Sequence, residues 1–215
     1  MTKFSLIITA GGTSSRYGKN KLLDLINDKT VIEHTLSMFL NIKEINEIII
    51  PTNSDFIVDL KKIIDNPNVK IIAGGNSRQE SVYNALQHVT NEYVIIHDGA
   101  RPLIKEPTIL QVMDMVQTHN AVSVMTKTTD TIKEVDEDGR IIKTIDRSKL
   151  YNTQTPQAFR TELILSAHKQ LKNKQFTDDA SMLEELDVPV FVVIGSYTNI
   201  KITTKSDLDF AKLYI

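Results

Sequence analysis

Apolar stretches of strand length alternate with amphipathic segments along most of the chain. Residues 4–9, 45–51, 69–73, 93–97 and 121–126 are rich in β-branched side chains, nearly continuous and without period-two alternation. That is how strands covered on both faces read. Helical segments fall between them. Thr30-Val31-Ile32-Glu33 is a capping box that opens a helix running to about Leu40. Ser77-Arg78-Gln79-Glu80 is a second, ahead of a helix over 81–89, and segments 55–64 and 107–119 complete the series. Strand–helix alternation predicts an α/β fold, a mostly parallel sheet with helices on both faces.

The pattern changes after residue 130. Segments 131–135 and 140–146 alternate around Asp136-Glu137-Asp138-Gly139, which predicts a protruding β-hairpin arm within about 131–150. Helices near 160–172 and 179–186, strands over 189–194 and 200–203, and a terminal helix from Ser206 follow. Repeats and low-complexity linkers are absent, so residues 1–215 read as one domain.

Composition narrows the chemistry. The 215 residues carry a formal charge of −2, so no global field draws in nucleic acid or an anionic membrane. There is no Cys, which excludes disulfides, thiolate metal sites and a cysteine nucleophile. A strand-like run begins almost at the first residue and no apolar stretch has the length of a membrane span, so no leader peptide and a cytoplasmic location are expected.

In an open parallel sheet, ligands bind at the carboxyl ends of the strands. Six of the eight glycines lie in three such loops: Gly11, Gly12 and Gly18, then Gly74 and Gly75, then Gly99. Glycine lets backbone N–H groups approach a ligand closely, and one shared anion site accounts for three sequence-distant clusters better than three unrelated turns do. The first loop, residues 10–21, adds the hydroxyls of Thr13, Ser14 and Ser15 and the cations Arg16, Lys19 and Lys21. It lacks the ending of a P-loop but has the parts to hold a triphosphate. Gly74-Gly75 precedes a capped helix N-terminus, favourable to an anion or a polar base. Arg78 there serves either the site or a neighbouring acid. Asp98 ends an apolar strand, the natural place for a Mg²⁺ ligand beside phosphates, and His97 reads as structural. Thr155-Pro156 reads as a turn, Asp178-Asp179 as a helix cap and Lys201 as a surface lysine when each is taken alone.

Together these motifs resemble one family. Ala10-Gly11-Gly12 with Arg16 and Lys21, Gly74-Gly75 with Arg78 and Ser81-Val82, His97-Asp98-Gly99-Ala100-Arg101-Pro102, Asp130-Thr131-Ile132-Lys133, Asp146-Arg147, Thr155-Pro156-Gln157, Thr177-Asp178-Asp179-Ala180-Ser181 and Asn199-Ile200-Lys201 are similar, in order and over essentially the whole chain, to the 2-C-methyl-D-erythritol 4-phosphate cytidylyltransferases. The resemblance implies a Rossmann-like nucleotidyltransferase, homodimeric through the β-arm, that uses CTP and Mg²⁺. It implies that Arg16, Lys21, Lys201 and Asp98 act at the reacting phosphates, with Asp98 at the metal. Ala10, Gly11, Gly12, Thr13, Gly75, Asn76, Ser81 and Gly99 would bind CTP, and Arg101, Thr131, Arg147 and Thr155 the sugar phosphate. Two positions depart from the family pattern: Asn76 stands where many members carry Asp, and Gly99 where Ala is frequent, a change expected to affect only loop freedom. The rival readings are a ribitol 5-phosphate cytidylyltransferase and a non-catalytic nucleotide-binding module.

Overall fold

A computed structural model describes residues 2–11 and 21–215. In chain order the elements are β1 (Phe4–Thr9), β2 (Leu25–Ile26), β3 (Lys29–Thr30), α1 (Val31–Leu40), β4 (Ile45–Thr52), α2 (Ser54–Ile63), β5 (Val69–Ala73), α3 (Arg78–Leu86), β6 (Tyr93–Asp98), α4 (Glu106–His119), β7 (Ala121–Lys127), β8 (Lys133–Val135), β9 (Ile141–Thr144), β10 (Tyr151–Arg160), α5 (Thr161–Gln170), α6 (Ala180–Glu184), β11 (Phe191–Ile194) and α7 (Lys205–Lys212).

Seven strands form one sheet in the order β11-β7-β10-β6-β1-β4-β5. Strands β6, β1, β4 and β5 are mutually parallel, and so are β11 and β7. The chain leaves β1 toward β4 and β5, then returns to β6 on the other side of β1. That reversal is a topological switch point, and it opens a crevice at the carboxyl ends of β1 and β6. Successive residues of β1 feed opposite faces. Leu6 and Ile8 join the core that includes α1 and α4, while Ile7 joins the core built with α3, α5 and α6. All three are fully buried, and each such side chain contributes ~1.5–3 kcal/mol. The end of β1 is therefore fixed by packing on both sides.

Three expectations are corrected. The longest strand, β10, runs through Thr155-Pro156, where a turn was expected. It is antiparallel to both neighbours, and its register shifts between Thr153 and Gln157. Proline cannot donate to a ladder, and it sits in the stretch where the ladder is interrupted. Residues 200–203 form no strand; the Ile202 N–H donates instead to the Ala100 carbonyl at 2.8 Å. The capping box at Thr30 is complete. The one at Ser77 is half made: Ser77 accepts from the Glu80 N–H, but the Glu80 carboxylate accepts from the N–H of Asn76.

Strands β8 and β9 pair antiparallel as a separate two-stranded ladder. All of their residues are exposed, including Val135, Ile141 and Ile142.

Candidate active site

The three glycine loops meet at the switch point. Thr52, at the end of β4, ties two of them together. Its hydroxyl donates to the Ala10 carbonyl at 3.1 Å, and its carbonyl accepts from the Gly74 N–H at 2.7 Å. The third joins through the Gly99 N–H, which donates to the Thr9 carbonyl at 3.1 Å. Gly75 lies so close to α3 that a Cβ would stand 2.2 Å from Glu80 Cγ. At Gly99 a Cβ would stand 2.8 Å from Ile32 Cδ1 and 3.0 Å from the Thr9 carbonyl. Gly99 therefore serves close packing of the loop on β1 and α1, which corrects the expectation that loop freedom was all it changed. Ser81 is buried; its hydroxyl accepts from the Gly75 N–H at 3.0 Å and donates to the Ser77 carbonyl at 2.8 Å. Asn76 is exposed at the tip of this loop.

Asp98 is the centre of the charge arrangement. Register places it opposite Thr9, so it ends β6 at the crevice. Lys201 Nζ lies 3.0 Å and Arg101 Nε 3.3 Å from its Oδ2. Its Oδ1 accepts from the Thr9 hydroxyl at 3.3 Å and lies 3.6 Å from Arg78 Nε. Burial works to raise the carboxyl pKa, but Lys201, Arg78 and Arg101 outweigh it and hold Asp98 well below the usual carboxylate range. The group is a fixed anion at neutral pH.

A directional chain of hydrogen bonds aims the strand end. The Asp98 N–H donates to Thr155 Oγ1 at 3.0 Å, Thr155 Oγ1 meets His97 Nδ1 at 3.0 Å, and His97 Nε2 meets the Arg101 carbonyl at 3.2 Å. A carbonyl only accepts, so Nε2 carries the proton, Nδ1 accepts, and the Thr155 hydroxyl donates. Burial pushes the His97 pKa down to about 4, which keeps the ring neutral and the tautomer single. His97 is structural, as read. The β10 irregularity lets Thr155 turn to this task. The neighbouring Gln154 accepts from Asn199 Nδ2 at 3.0 Å, and the Asn199 carbonyl accepts from Arg101 at 2.7 Å.

Arg78 resolves toward the acids. Its terminal nitrogen lies 2.7 Å from Asp179 Oδ2. Burial opposes its charge, but Asp179 and Asp98 together raise its pKa. Asp179 was read as a helix cap; its side chain makes no cap bond, and Asp178 accepts from the Ser181 N–H instead. Gln157, at the buried centre of the sheet, accepts from the N–H groups of Asp179 and Ala180 and so seats α6. Asp179, Gln157 and Asn199 were visible only as parts of motifs, because the partners that define them are distant in sequence.

Of the remaining candidates, Lys21 opens a 3-10 turn (Lys21–Leu23) with intermediate exposure. Gly12, Thr13 and Arg16 lie outside the described residues. Thr131 and Arg147 are exposed at the hairpin, where Arg147 donates to the Thr129 carbonyl; among the described residues they share no hydrogen bond or ion pair with the Asp98 cluster. No group of three or more His, Cys, Asp or Glu is arranged to hold a metal among the described residues. Among those residues no helix is long and apolar enough to cross a membrane.

Residues 4–215 match the family model described as 2-C-methyl-D-erythritol 4-phosphate cytidylyltransferase. Curated relatives bearing that name include one from Bacillus thuringiensis, 42% identical over 222 residues, with 99% of this chain and 97% of the relative covered. One from Aquifex aeolicus is 43% identical over 211 residues, covering 97% and 96%. Among solved structures, the 4-diphosphocytidyl-2C-methyl-D-erythritol synthase of Anaerococcus prevotii is 34% identical with a TM-score of 0.86, covering 99% of this chain and 98% of that one. The 2-C-methyl-D-erythritol 4-phosphate cytidylyltransferase of Francisella tularensis is 27% identical with a TM-score of 0.86, covering both chains fully (100% each). Matched along nearly its whole length in sequence and in fold, this chain belongs to the 2-C-methyl-D-erythritol 4-phosphate cytidylyltransferase family.

Proposed function

We propose that the protein transfers CMP from CTP to 2-C-methyl-D-erythritol 4-phosphate, releasing pyrophosphate. One observation carries the reading beyond the family: a fixed carboxylate at the sheet's switch point, ringed by Lys201, Arg101 and Arg78. An oxygen of the sugar phosphate attacks the α-phosphorus, that P–O bond forms, and the bond from the α-phosphorus to the bridging oxygen breaks. The attacking monoester is already mostly ionised near neutral pH, its second pKa being about 6, so no general base is needed. Two anions must be brought together, and charge grows on the departing oxygen. We assign Lys201 to countering it, with Arg16 and Lys21 of the first loop on the triphosphate and Arg101 on the sugar phosphate.

We assign Mg²⁺ to the phosphates beside Asp98, whose carboxylate Lys201, Arg101 and Arg78 already neutralise. Bound there, the ion would neutralise phosphate charge. We assign the hairpin to a partner subunit of a homodimer, supported by its exposed Val135, Ile141 and Ile142, with Thr131 and Arg147 contacting the sugar phosphate of the partner's site. A cytoplasmic location accords with this substrate pair.

Pyrophosphate release from CTP and Mg²⁺ with each sugar phosphate tests the proposal. Turnover is expected with methylerythritol phosphate. Turnover with ribitol 5-phosphate alone would reassign the substrate, and CTP binding without turnover on either would make the protein a binding module. The comparisons lend the ribitol reading no support, since the family and the relatives cited carry the methylerythritol name.

A further inference from the structure

Lys201 belongs to a loop without regular structure, between β11 and α7, yet its Nζ arrives 3.0 Å from Asp98 Oδ2. A long side chain keeps such an appointment only if the backbone beneath it is held. Downstream it is. The Ile202 N–H donates to the Ala100 carbonyl at 2.8 Å, and the Ile202 side chain is fully buried. Upstream the hold centres on Asn199, which is 1% exposed. Its Nδ2 donates to Gln154 Oε1 at 3.0 Å and to the Thr155 carbonyl at 2.9 Å. Two acceptors there fix which end of the amide carries the nitrogen.

The same stretch of β10 grips the loop a second time. Gln154 Nε2 donates to the Ser196 carbonyl at 3.0 Å, and that carbonyl also accepts from the Asn199 N–H at 3.1 Å. Asn199 therefore joins the irregular part of β10 to the chain two residues before Lys201. Stability alone does not account for its choice. Asn199 Oδ1 is buried and has no hydrogen-bond partner among the described residues. An unsatisfied buried acceptor works against folding, and each native case needs a reason.

We infer that Asn199 is a positioning residue for Lys201. It ties the loop to β10 so that the ammonium is delivered to Oδ2 of Asp98 at the rim of the sheet. The placement stands on the geometry alone, while its consequence for turnover rests on the proposed role of Lys201.

The first test needs no substrate. The folded protein is acylated with a trace of acetic anhydride, and the label at Lys201 is measured by mass spectrometry, with thermal melts to check folding. An ammonium paired with a carboxylate acylates slowly, because it must leave the pair and shed its proton. Asn199→Ala is expected to label Lys201 about fivefold faster, the worth of a partly exposed ion pair. Lys174, paired with Glu185 elsewhere in the fold, is expected to keep its rate, which a general loosening would raise as well. Gln154→Ala removes the grip from the β10 side and should give the same pattern at about twofold, so the test survives if Asn199→Ala fails to fold. No change at Lys201 in a folded variant, or an equal rise at Lys174, overturns the inference.

The second test is pyrophosphate release from CTP and methylerythritol phosphate. Asn199→Ala is expected to lower kcat about tenfold, within the cost of misplacing a group by about 1 Å. Lys201→Ala should lose on the order of 10². Asn199→Ala/Lys201→Ala should then match Lys201→Ala within about threefold, since nothing remains to be positioned. A further tenfold loss in the double variant would mean that Asn199 acts through something else, and the inference fails. If Lys201→Ala turns over normally, the role of Lys201 falls while the labelling still decides its placement. If Lys201→Ala is impaired and Asn199→Ala is not, only the positioning falls.

Discussion

The rim of the sheet and the β8–β9 hairpin solve opposite problems. At the rim, Asp98 is tied through its backbone to Thr155, through its carboxylate to three cations and through its strand to β1. Its position is over-determined before any substrate arrives. The hairpin has one ladder and exposed apolar side chains at Val135, Ile141 and Ile142. The difference separates two kinds of charged residue. Those at the rim are held in place by the fold, as preorganised electrostatic stabilisation requires. Those on the hairpin are exposed and pair only locally, as Arg140 does with Asp136 and Lys143 with Glu134.

Loss of a charge assigned to the triphosphate should produce the largest effect. Lys21→Ala is expected to lower turnover on the order of 10²–10³, by the scale of removing one preorganised partner, while the thermal midpoint stays put. Near-normal pyrophosphate release from that variant would remove its role. Next is the hydrogen-bond chain beneath the rim. Thr155→Val leaves the Asp98 N–H and His97 Nδ1 without their partner, and denaturant unfolding should show a loss of ~1–3 kcal/mol. An unchanged midpoint and slope would mean that the chain does not brace the site.

The hairpin should behave differently. Arg147→Ala is expected to raise the KM for the sugar phosphate roughly tenfold, leaving CTP affinity and thermal stability nearly unchanged, as surface substitutions usually do. A collapse of CTP affinity instead would erase the contrast between the two regions. The smallest effect comes from a local motif outside both. Asp207 accepts from the Thr203 hydroxyl and from the N–H groups of Thr203 and Thr204. Burial works to raise its pKa, but these bonds win and lower it. The unfolded chain therefore takes up the proton first as pH falls. The contribution is fully present above the unfolded value near 4 and disappears as pH drops through the folded one. Asp207→Asn should cost about 0.5–1 kcal/mol at pH 7, and the two stability curves should converge in strong acid. Parallel curves down to pH 2 would assign the loss to something other than charge.

What could be read from the chain depended on where each residue's partners lie. Strands β1, β4, β6 and β7 announced themselves because both faces meet oil, and a run of Ile and Val has few other uses; the edge strand β5 was legible from its Val and Ile although Lys70 and Ala73 are exposed. β10 did not, because Gln154, Thr155 and Gln157 are buried polar groups satisfied by Asn199, His97, Ser123 and Asp178, all remote in sequence. The reverse error occurred at 200–203, where Ile200 and Ile202 alternate like a strand but the backbone bonds to the loop after β6. The candidate site divides in the same way. Asp98 was legible from its place at the end of an apolar strand. That Lys201 and Arg101 share its Oδ2 needed the fold, and so did the two acids that settle Arg78.

The direction of β10 has a mechanical consequence. Because it opposes β6 and β7, it is its beginning, not its end, that reaches the crevice, with Tyr151 opposite Lys127. The hairpin springs from the chain between those two residues. Any load applied to it passes into β7 and into the strand that carries Thr155, and through the latter into the backbone of Asp98.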